Sequence, residues 1–126
     1  MTVLGFDHVS LSGPLGRESE VVPFYSEVMG FTEVEVPEAL AGRGIHWFSL
    51  GPSTLHVIPE AEVAPSVRHP AILVGDLAPL RVRLEAAEIE IKSEPQLPGC
   101  DRFSFVDPFG NRVEVLQRNS SYSAPM

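Results

Sequence analysis

Two periods of apolar residues alternate along the chain, and they occur in the same order twice. Runs with every second residue apolar are typical of strands that bury one face, and each half also has one stretch with helical spacing. In the first half that stretch places apolar residues at i, i+3, i+4 and i+7, namely Val21, Phe24, Tyr25 and Val28. Ser19 is the candidate N-cap of this helix and Gly30 its candidate C-cap. In the second half Asp76 is the candidate N-cap of a helix whose apolar stripe is Leu77, Leu80, Leu84 and Ala87.

Eight runs of strand-forming residues surround the two helices. They span residues 3–11, 31–36, 45–50, 54–59, 68–74, 89–92, 103–106 and 113–116. The order of elements is βαβββ, repeated once, and such a repeat predicts two structural copies. The predicted fold class is α+β: two βαβββ modules, residues 1–62 and 63–118, form a cupped, mostly antiparallel sheet with the helices on its outer face. Residues 119–126 are polar and small, and we expect a flexible tail there.

The last predicted hairpin contains the residue that most needs an explanation. Its turn, residues 107–111, reads Asp-Pro-Phe-Gly-Asn and is dense in turn formers. In the apolar strand that follows, Glu114 lies on the face opposite to Val113 and Val115. A carboxylate on a sheet face lowers stability unless it is solvated, paired or bound to a cation. Glu114 is therefore a candidate functional residue.

The repeat gives Glu114 three candidate companions. His8 and His69 lie on the first predicted strands of the two modules, and His56 and Glu114 lie on the last ones. The separation of the first pair along the chain is nearly that of the second pair, so the repeat can bring the four side chains to one point. Three imidazoles and one carboxylate suit Fe, Mn, Ni, Co or Zn as divalent ions better than an alkaline-earth ion. A single histidine on a strand is more often structural, so the matched positions are what favour a metal site.

Other residues near these strands have competing interpretations. Arg102 and Arg112 flank the last hairpin, and either is suited to an anionic substrate group, to a salt bridge with Glu114 or to an exposed position in solvent. Such a bridge would compete directly with a metal ion. His46 has no counterpart in the second module and is interpreted as a cavity-wall or exposed residue, and Trp47 as part of the core.

Composition narrows the classes of partner. Nine basic and seventeen acidic residues give a formal net charge of −8, which argues against nucleic acid and anionic membranes as partners. Cys100 is the single cysteine, so no internal disulfide is possible, and we interpret it as a loop thiol. The sequence contains neither a signal-peptide pattern nor an apolar run long enough to span a membrane. A cytoplasmic protein that binds a small molecule is expected.

Five stretches together resemble the vicinal oxygen chelate superfamily. They are residues 6–11 (Phe-Asp-His-Val-Ser-Leu), 24–31 (Phe-Tyr and Met-Gly-Phe), 55–58 (Leu-His-Val-Ile), 69–72 (His-Pro-Ala-Ile) and 107–115 (Asp-Pro-Phe-Gly-Asn-Arg-Val-Glu-Val). This superfamily contains glyoxalase I, methylmalonyl-CoA epimerase, extradiol dioxygenases, fosfomycin-resistance proteins and bleomycin-binding proteins. The resemblance implies paired βαβββ modules, with metal ligands at His8, His56, His69 and Glu114. It also implies a homodimer whose sites are shared between subunits, so that His8 and His69 of different chains meet.

The resemblance leaves several activities open. Position 56 is His here, where many glyoxalases have Glu and epimerases have Gln, and fosfomycin-resistance enzymes use only the equivalents of His8, His69 and Glu114. The favoured activity is that of a metal-dependent lyase or isomerase that chelates two neighbouring substrate oxygens, with Glu114 or His56 transferring a proton. The alternatives are an extradiol-type dioxygenase with Fe(II) and a metal-free, bleomycin-type antibiotic-binding protein.

Overall fold

The two halves of the chain pair their strands in the same way. In the computed structural model, which describes residues 1–123, eight strands are formed. They are His8–Pro14 (β1), Glu33–Val34 (β2), His46–Leu50 (β3), Ser53–Glu60 (β4), Ala71–Leu73 (β5), Lys92–Ser93 (β6), Cys100–Val106 (β7) and Arg112–Arg118 (β8). The chain divides into two units, Met1–Ala64 and Pro65–Met126, with one sheet in each.

Both sheets mix parallel and antiparallel pairs. The first has the order β1-β4-β3-β2 and the second the order β5-β8-β7-β6. In each, the first strand of the unit runs parallel to the last, and the remaining pairs are antiparallel. The predicted α+β class, with mostly antiparallel pairing, is confirmed. Among residues 1–123 no helix is both long and apolar enough to cross a membrane.

The helix of the first unit differs from the regular α-helix that its periodicity predicts. A short 3₁₀-helix at Glu18–Glu20 is followed by a π-helix at Pro23–Val28. Pro23 has no N–H to donate to the preceding turn, which disfavours continuous α-helical bonding, and Met29 N–H instead bonds to Phe24 O at 3.0 Å. Ser19 lies inside the 3₁₀-helix rather than at a cap, whereas Gly30 ends the π-helix with φ 78°, as expected of a C-cap glycine.

The helix of the second unit follows its sequence closely. Helix α1 spans Leu77–Ala86, and Asp76 Oδ1 accepts a hydrogen bond from Ala78 N–H at 3.1 Å. Its buried side chains are Leu77, Leu80 and Leu84. The N-cap and most of the apolar stripe were therefore predictable from residue spacing alone.

Several predicted strands are shorter than the apolar runs that suggested them. Strand β1 begins at His8 because β4, its partner, begins at Ser53, so residues 3–7 have no strand beside them. Pro70 cannot donate to the ladder, and β5 begins directly after it at Ala71. Strand β2 is reduced to two residues at the edge of its sheet.

One face of each sheet is buried against the helix of its unit. In the first unit the almost fully buried side chains include Tyr25, Phe48, Leu55 and Val57. In the second unit they include Leu84, Phe103, Phe105, Val113 and Val115. Because strand side chains alternate, the residues between these apolar ones, including His56 and Glu114, lie on the opposite face of each sheet.

The β7–β8 hairpin is fixed by a buried carboxylate. Asp107 Oδ1 accepts from the backbone N–H of Phe109 at 3.0 Å and of Asn111 at 2.7 Å, and its Oδ2 accepts from Asn111 Nδ2 at 2.9 Å. Gly110 adopts φ 100°, which a residue with a side chain rarely adopts. The resulting register pairs Ser104 with Glu114.

Two further expectations concern the end of the chain. Cys100, interpreted as a loop thiol, is instead the first residue of β7 and is buried. Of the predicted flexible tail, residues 124–126 lie outside the described part of the chain. Within the described part, Asn119 N–H bonds to Gly99 O at 2.8 Å, and Tyr122 N–H bonds to Asn119 O at 3.0 Å.

Candidate functional site

Three rings are stacked on the polar face of the first sheet. Strands β3 and β4 pair Trp47 directly with His56, and β1 pairs His8 with Thr54, one step along the same face. The rings of Trp47 and His56 are 4.0 Å apart between centroids and inclined by 2°, and those of His56 and His8 are 4.0 Å apart and inclined by 15°. His56 therefore lies between an indole and a second imidazole.

Hydrogen bonds orient the two imidazoles of this stack, and burial affects the protonation of His56. His8 Nδ1–H donates to Asp7 Oδ2 at 2.8 Å, and His56 Nε2 shares a hydrogen bond of 2.8 Å with Thr54 Oγ1. Burial lowers the pKa of His56 below its usual value, a charge on His8 lowers the pKa further, and the Asp7 carboxylate partly opposes both. His56 is therefore held in its neutral form at neutral pH, in which it can accept a proton.

Stacking does not give His8 and His56 the geometry of a chelating pair. Imidazole ligands lie about 2.0–2.1 Å from a zinc-like ion, so two donor atoms on one ion are about 3.0–3.4 Å apart and their in-plane lone pairs converge on it. The two rings here are nearly parallel, with centroids 4.0 Å apart. In this arrangement their lone pairs do not converge on one point, and one ring would have to turn to join the other on an ion.

A different pair of candidate residues meets in the second unit. His69 Nε2 lies 3.3 Å from Glu114 Oε1; the Glu114 side chain is 10% exposed and the His69 side chain 28%. His69 Nδ1–H donates to Val67 O at 2.7 Å, which fixes the ring with its Nε2 atom facing the carboxylate. Two acceptors at this distance repel each other unless a proton or a metal cation lies between them. The spacing also matches that of two donor atoms bound to one ion.

Arg102 is a second cationic neighbour of the same carboxylate. Its NH1 group lies 3.1 Å from Glu114 Oε1, and its Nε–H donates to Pro95 O at 2.8 Å. The side chain is 15% exposed, so water screens the ion pair weakly. The salt bridge that the sequence identified as the competitor of a metal ion is thus present.

Glu94 and Arg112 form a second ion pair on the same face of the second sheet. Arg112 NH2 lies 3.1 Å from Glu94 Oε1, which also accepts from Ser104 Oγ–H at 2.7 Å. The Ser104 hydrogen bond, followed by Arg112, lowers the pKa of Glu94 below its usual value, and burial opposes the shift. Glu94 was not among the predicted site residues, because it lies in a loop where no periodicity applies.

The described structure brings the predicted site residues together as two pairs. His8 meets His56 in the first unit, and His69 meets Glu114 in the second. Within residues 1–123, no group of three or more His, Cys, Asp or Glu side chains is placed to hold a metal ion. The interpretation of Trp47 as a core residue is wrong, since its ring covers His56 on the polar face. Its buried indole Nε1–H has no hydrogen-bond partner among the described residues.

Comparisons with known proteins agree with this fold. Residues 5–115 match the family model of the Glyoxalase/Bleomycin resistance protein/Dioxygenase superfamily. A glyoxalase family protein from Bacillus anthracis is 35% identical, with a TM-score of 0.84 over 94% of this chain and 98% of that one. No curated protein matches the sequence.

Two more distant structures share the fold. The fosfomycin resistance protein FosX from Listeria monocytogenes, in complex with Mn(II) and sulfate, is 14% identical, with a TM-score of 0.75 over 94% of both chains. A lactoylglutathione lyase from Agrobacterium tumefaciens is 23% identical, with a TM-score of 0.64 over 90% of this chain and 92% of that one. At these identities the likeness establishes the fold alone.

Proposed function

Because the chain belongs to the Glyoxalase/Bleomycin resistance protein/Dioxygenase superfamily, we propose that it is a metal-dependent lyase or isomerase of the glyoxalase type. Its substrate is a small molecule that binds a divalent ion through two neighbouring oxygens. The observation that supports this most directly is the His69–Glu114 pair, in which an imidazole lone pair and a carboxylate oxygen lie 3.3 Å apart.

The donor set suits a borderline divalent ion such as Mn, Fe, Co, Ni or Zn. His69 supplies a neutral nitrogen whose orientation is fixed by its bond to Val67 O, and Glu114 supplies an anionic oxygen. His8 fits as a third ligand, because the bond from Nδ1 to Asp7 leaves its Nε2 lone pair available. When bound, the ion would act as a Lewis acid that stabilises negative charge developing on a substrate oxygen.

We assign His56 to proton transfer rather than to metal binding. Its ring is stacked between Trp47 and His8, and burial lowers its pKa, so the ring is neutral and able to accept a proton at neutral pH. Thr54 Oγ1, 2.8 Å from Nε2, orients the ring and offers a path for the proton. Glu114 is the alternative proton acceptor if it leaves the ion during the reaction.

We also propose that the protein forms a homodimer. A fosfomycin resistance protein of this fold is in complex with Mn(II), and the superfamily resemblance implies sites shared between two copies of the chain. We therefore propose that His8, His69 and Glu114 serve one ion, whether they come from one copy or from two.

One observation favours a second candidate, a metal-free binding protein of the bleomycin-resistance type. Arg102 already neutralises Glu114 at 3.1 Å, and the salt bridge occupies one of the oxygens that a metal ion would need. A binding protein of this kind would keep that bridge permanently. The two candidates therefore differ in whether the bridge opens for a divalent ion.

Metal content separates the candidates. The protein would be purified without chelator, and elemental analysis would be repeated after incubation with Mn(II), Co(II), Ni(II) or Zn(II) and gel filtration. If the protein is a metal-dependent enzyme, wild type should bind about one ion per set of His8, His69 and Glu114. The double variant His69→Ala/Glu114→Ala should bind none and should elute at the same volume as wild type. His46→Ala is the matched control, because His46 lies outside the proposed ligand set and should leave the metal content unchanged. Wild-type protein that takes up none of these ions would support the binding protein instead.

A further inference from the structure

We propose that Arg102 exchanges partners when the metal ion binds: it neutralises Glu114 in the metal-free protein and an anionic group of the substrate in the loaded one. This inference rests on the proposed metal-dependent function and adds the charge of the substrate to it. Arg102 on β7 and Glu114 on β8 lie on the polar face of the second sheet.

The first step is that Glu114 needs a cation beside it in both the metal-free and the metal-loaded protein. Its side chain is 10% exposed, and an unpaired carboxylate at that depth is strongly destabilising. Arg102 provides the positive charge through a single contact, from NH1 to Oε1 at 3.1 Å. A divalent ion that takes the same oxygen supplies more charge at a shorter distance and makes the guanidinium unnecessary there.

The second step is that Arg102 stays in place when it loses Glu114. Its Nε–H donates to Pro95 O at 2.8 Å, and Gln96 Nε2 donates to Arg102 O at 3.2 Å. Both contacts are with the loop that precedes β7, and neither involves Glu114. Of the five N–H donors of the guanidinium, only two are used among residues 1–123, so the released head offers donors in a planar fork that suits an oxyanion.

The third step is the charge that remains after the exchange. His69 binds as a neutral ring, so Glu114 is the only anion among the proposed ligands. A divalent ion together with Arg102 then leaves positive charge uncompensated in a poorly hydrated site. A neutral substrate would leave that charge in place, whereas a carboxylate or another oxyanion beside the chelating oxygens would compensate it. The substrate class that fits is therefore an anionic one.

Arg112 shows why the exchange is specific to Arg102. Both arginines lie on the same face and both form ion pairs of 3.1 Å. The partner of Arg112 is Glu94, which also accepts a hydrogen bond from Ser104 and is not a proposed ligand. A metal ion on Glu114 leaves that pair intact, so Arg112 provides a matched control.

The test measures Mn(II) affinity by electron paramagnetic resonance on the full chain, with sulfate as the oxyanion probe and chloride at equal ionic strength as the reference. In chloride, we expect Arg102→Gln to bind Mn(II) at least tenfold more tightly than wild type, because the competing cation is gone. Sulfate should strengthen Mn(II) binding to wild type and should not strengthen it in Arg102→Gln. Arg112→Gln should behave as wild type in both salts.

The outcomes separate this inference from the proposed function. If wild type binds Mn(II) and Arg102→Gln binds it equally or more weakly, the exchange is wrong while the metal-dependent function stands. If only Arg102→Gln binds, Arg102 does compete with the ion, but the natural chain is not a metal enzyme. If neither binds, both are rejected.

A measurement on wild-type protein covers the case in which Arg102→Gln does not fold. The side-chain N–H signals of Arg102 would be followed by nuclear magnetic resonance during titration with Zn(II) and then sulfate, after assignment with Arg102→Lys, which keeps the positive charge. The exchange predicts two successive shifts of the Arg102 signals and unchanged signals of Arg112. Arg102 signals that do not respond to Zn(II) bound by the protein would overturn it.

Discussion

The indole of Trp47 lies flat on the imidazole of His56, with centroids 4.0 Å apart and planes inclined by 2°. The contact follows from the register of β3 and β4, which makes the two residues direct cross-strand neighbours. It places an aromatic surface behind the residue that we assign to proton transfer. The indole N–H beside it is buried and has no partner among residues 1–123.

The unpartnered N–H predicts an unequal response to two substitutions of Trp47. Trp47→Phe keeps an aromatic ring against His56 and removes a buried donor, so we expect the free energy of unfolding to change by less than about 1 kcal/mol. Trp47→Ala removes the ring as well and should lower the free energy of unfolding by about 3 kcal/mol. Urea unfolding followed by circular dichroism gives both values. A large loss in Trp47→Phe would mean that the N–H has a partner in solution.

The neighbours of His56 predict opposite shifts of its pKa. A charge on His8 lowers that pKa and the Asp7 carboxylate raises it. His8→Gln should therefore raise the pKa of His56, and Asp7→Asn should lower it further. Proton resonance titration of the His56 ring in metal-free protein measures both shifts. Shifts of the same sign in the two variants would show that the stack, rather than charge, controls the titration.

Residue alternation was enough to predict which face His56 and Glu114 occupy. Each lies between apolar neighbours in its strand, and the buried side chains of Leu55, Val57, Val113 and Val115 fix the opposite face as the core. The turn formers of residues 107–111 likewise predicted the last hairpin, since Asp107 satisfies the backbone of the turn by itself. Local chemistry determined these features, so the sequence was a sufficient guide.

Residue alternation and turn formers did not predict the side-chain contacts between strands. The stack of Trp47 on His56 depends on the register of β3 against β4, which apolar periodicity does not specify. Glu94 reaches Ser104 and Arg112 from a loop, where no period exists to place it. The sequence allowed Glu114 to pair with either arginine, and the structure selects Arg102.

Two depressed pKa values predict that stability falls with acid in two ranges. The folded-state pKa of His56 is lowered, so its contribution is complete above about pH 6.5 and is lost as the pH falls through the folded value. That of Glu94 is also lowered, so its contribution is complete above about pH 4.5 and is lost at more acidic pH. Urea midpoints measured from pH 8 to pH 3 should decline in both ranges. His56→Gln should flatten only the upper decline and Glu94→Gln only the lower one, and if either variant left its decline unchanged, that assignment would be wrong.

The Asp107 carboxylate predicts the largest loss of stability from one polar side chain in the hairpin. It is 4% exposed and accepts hydrogen bonds from two backbone N–H groups and from Asn111 Nδ2. Asp107→Ala leaves these donors unsatisfied and should lower the free energy of unfolding by about 2–4 kcal/mol. Asp107→Asn keeps one acceptor oxygen and should lower the free energy of unfolding by about half as much.

The turn sets the register that pairs Ser104 with Glu114. Asp107→Ala should therefore also weaken metal binding, measured by Mn(II) titration at a temperature below the unfolding transition. A folded Asp107→Ala protein with wild-type stability would show that the turn sequence, rather than this carboxylate, fixes the hairpin.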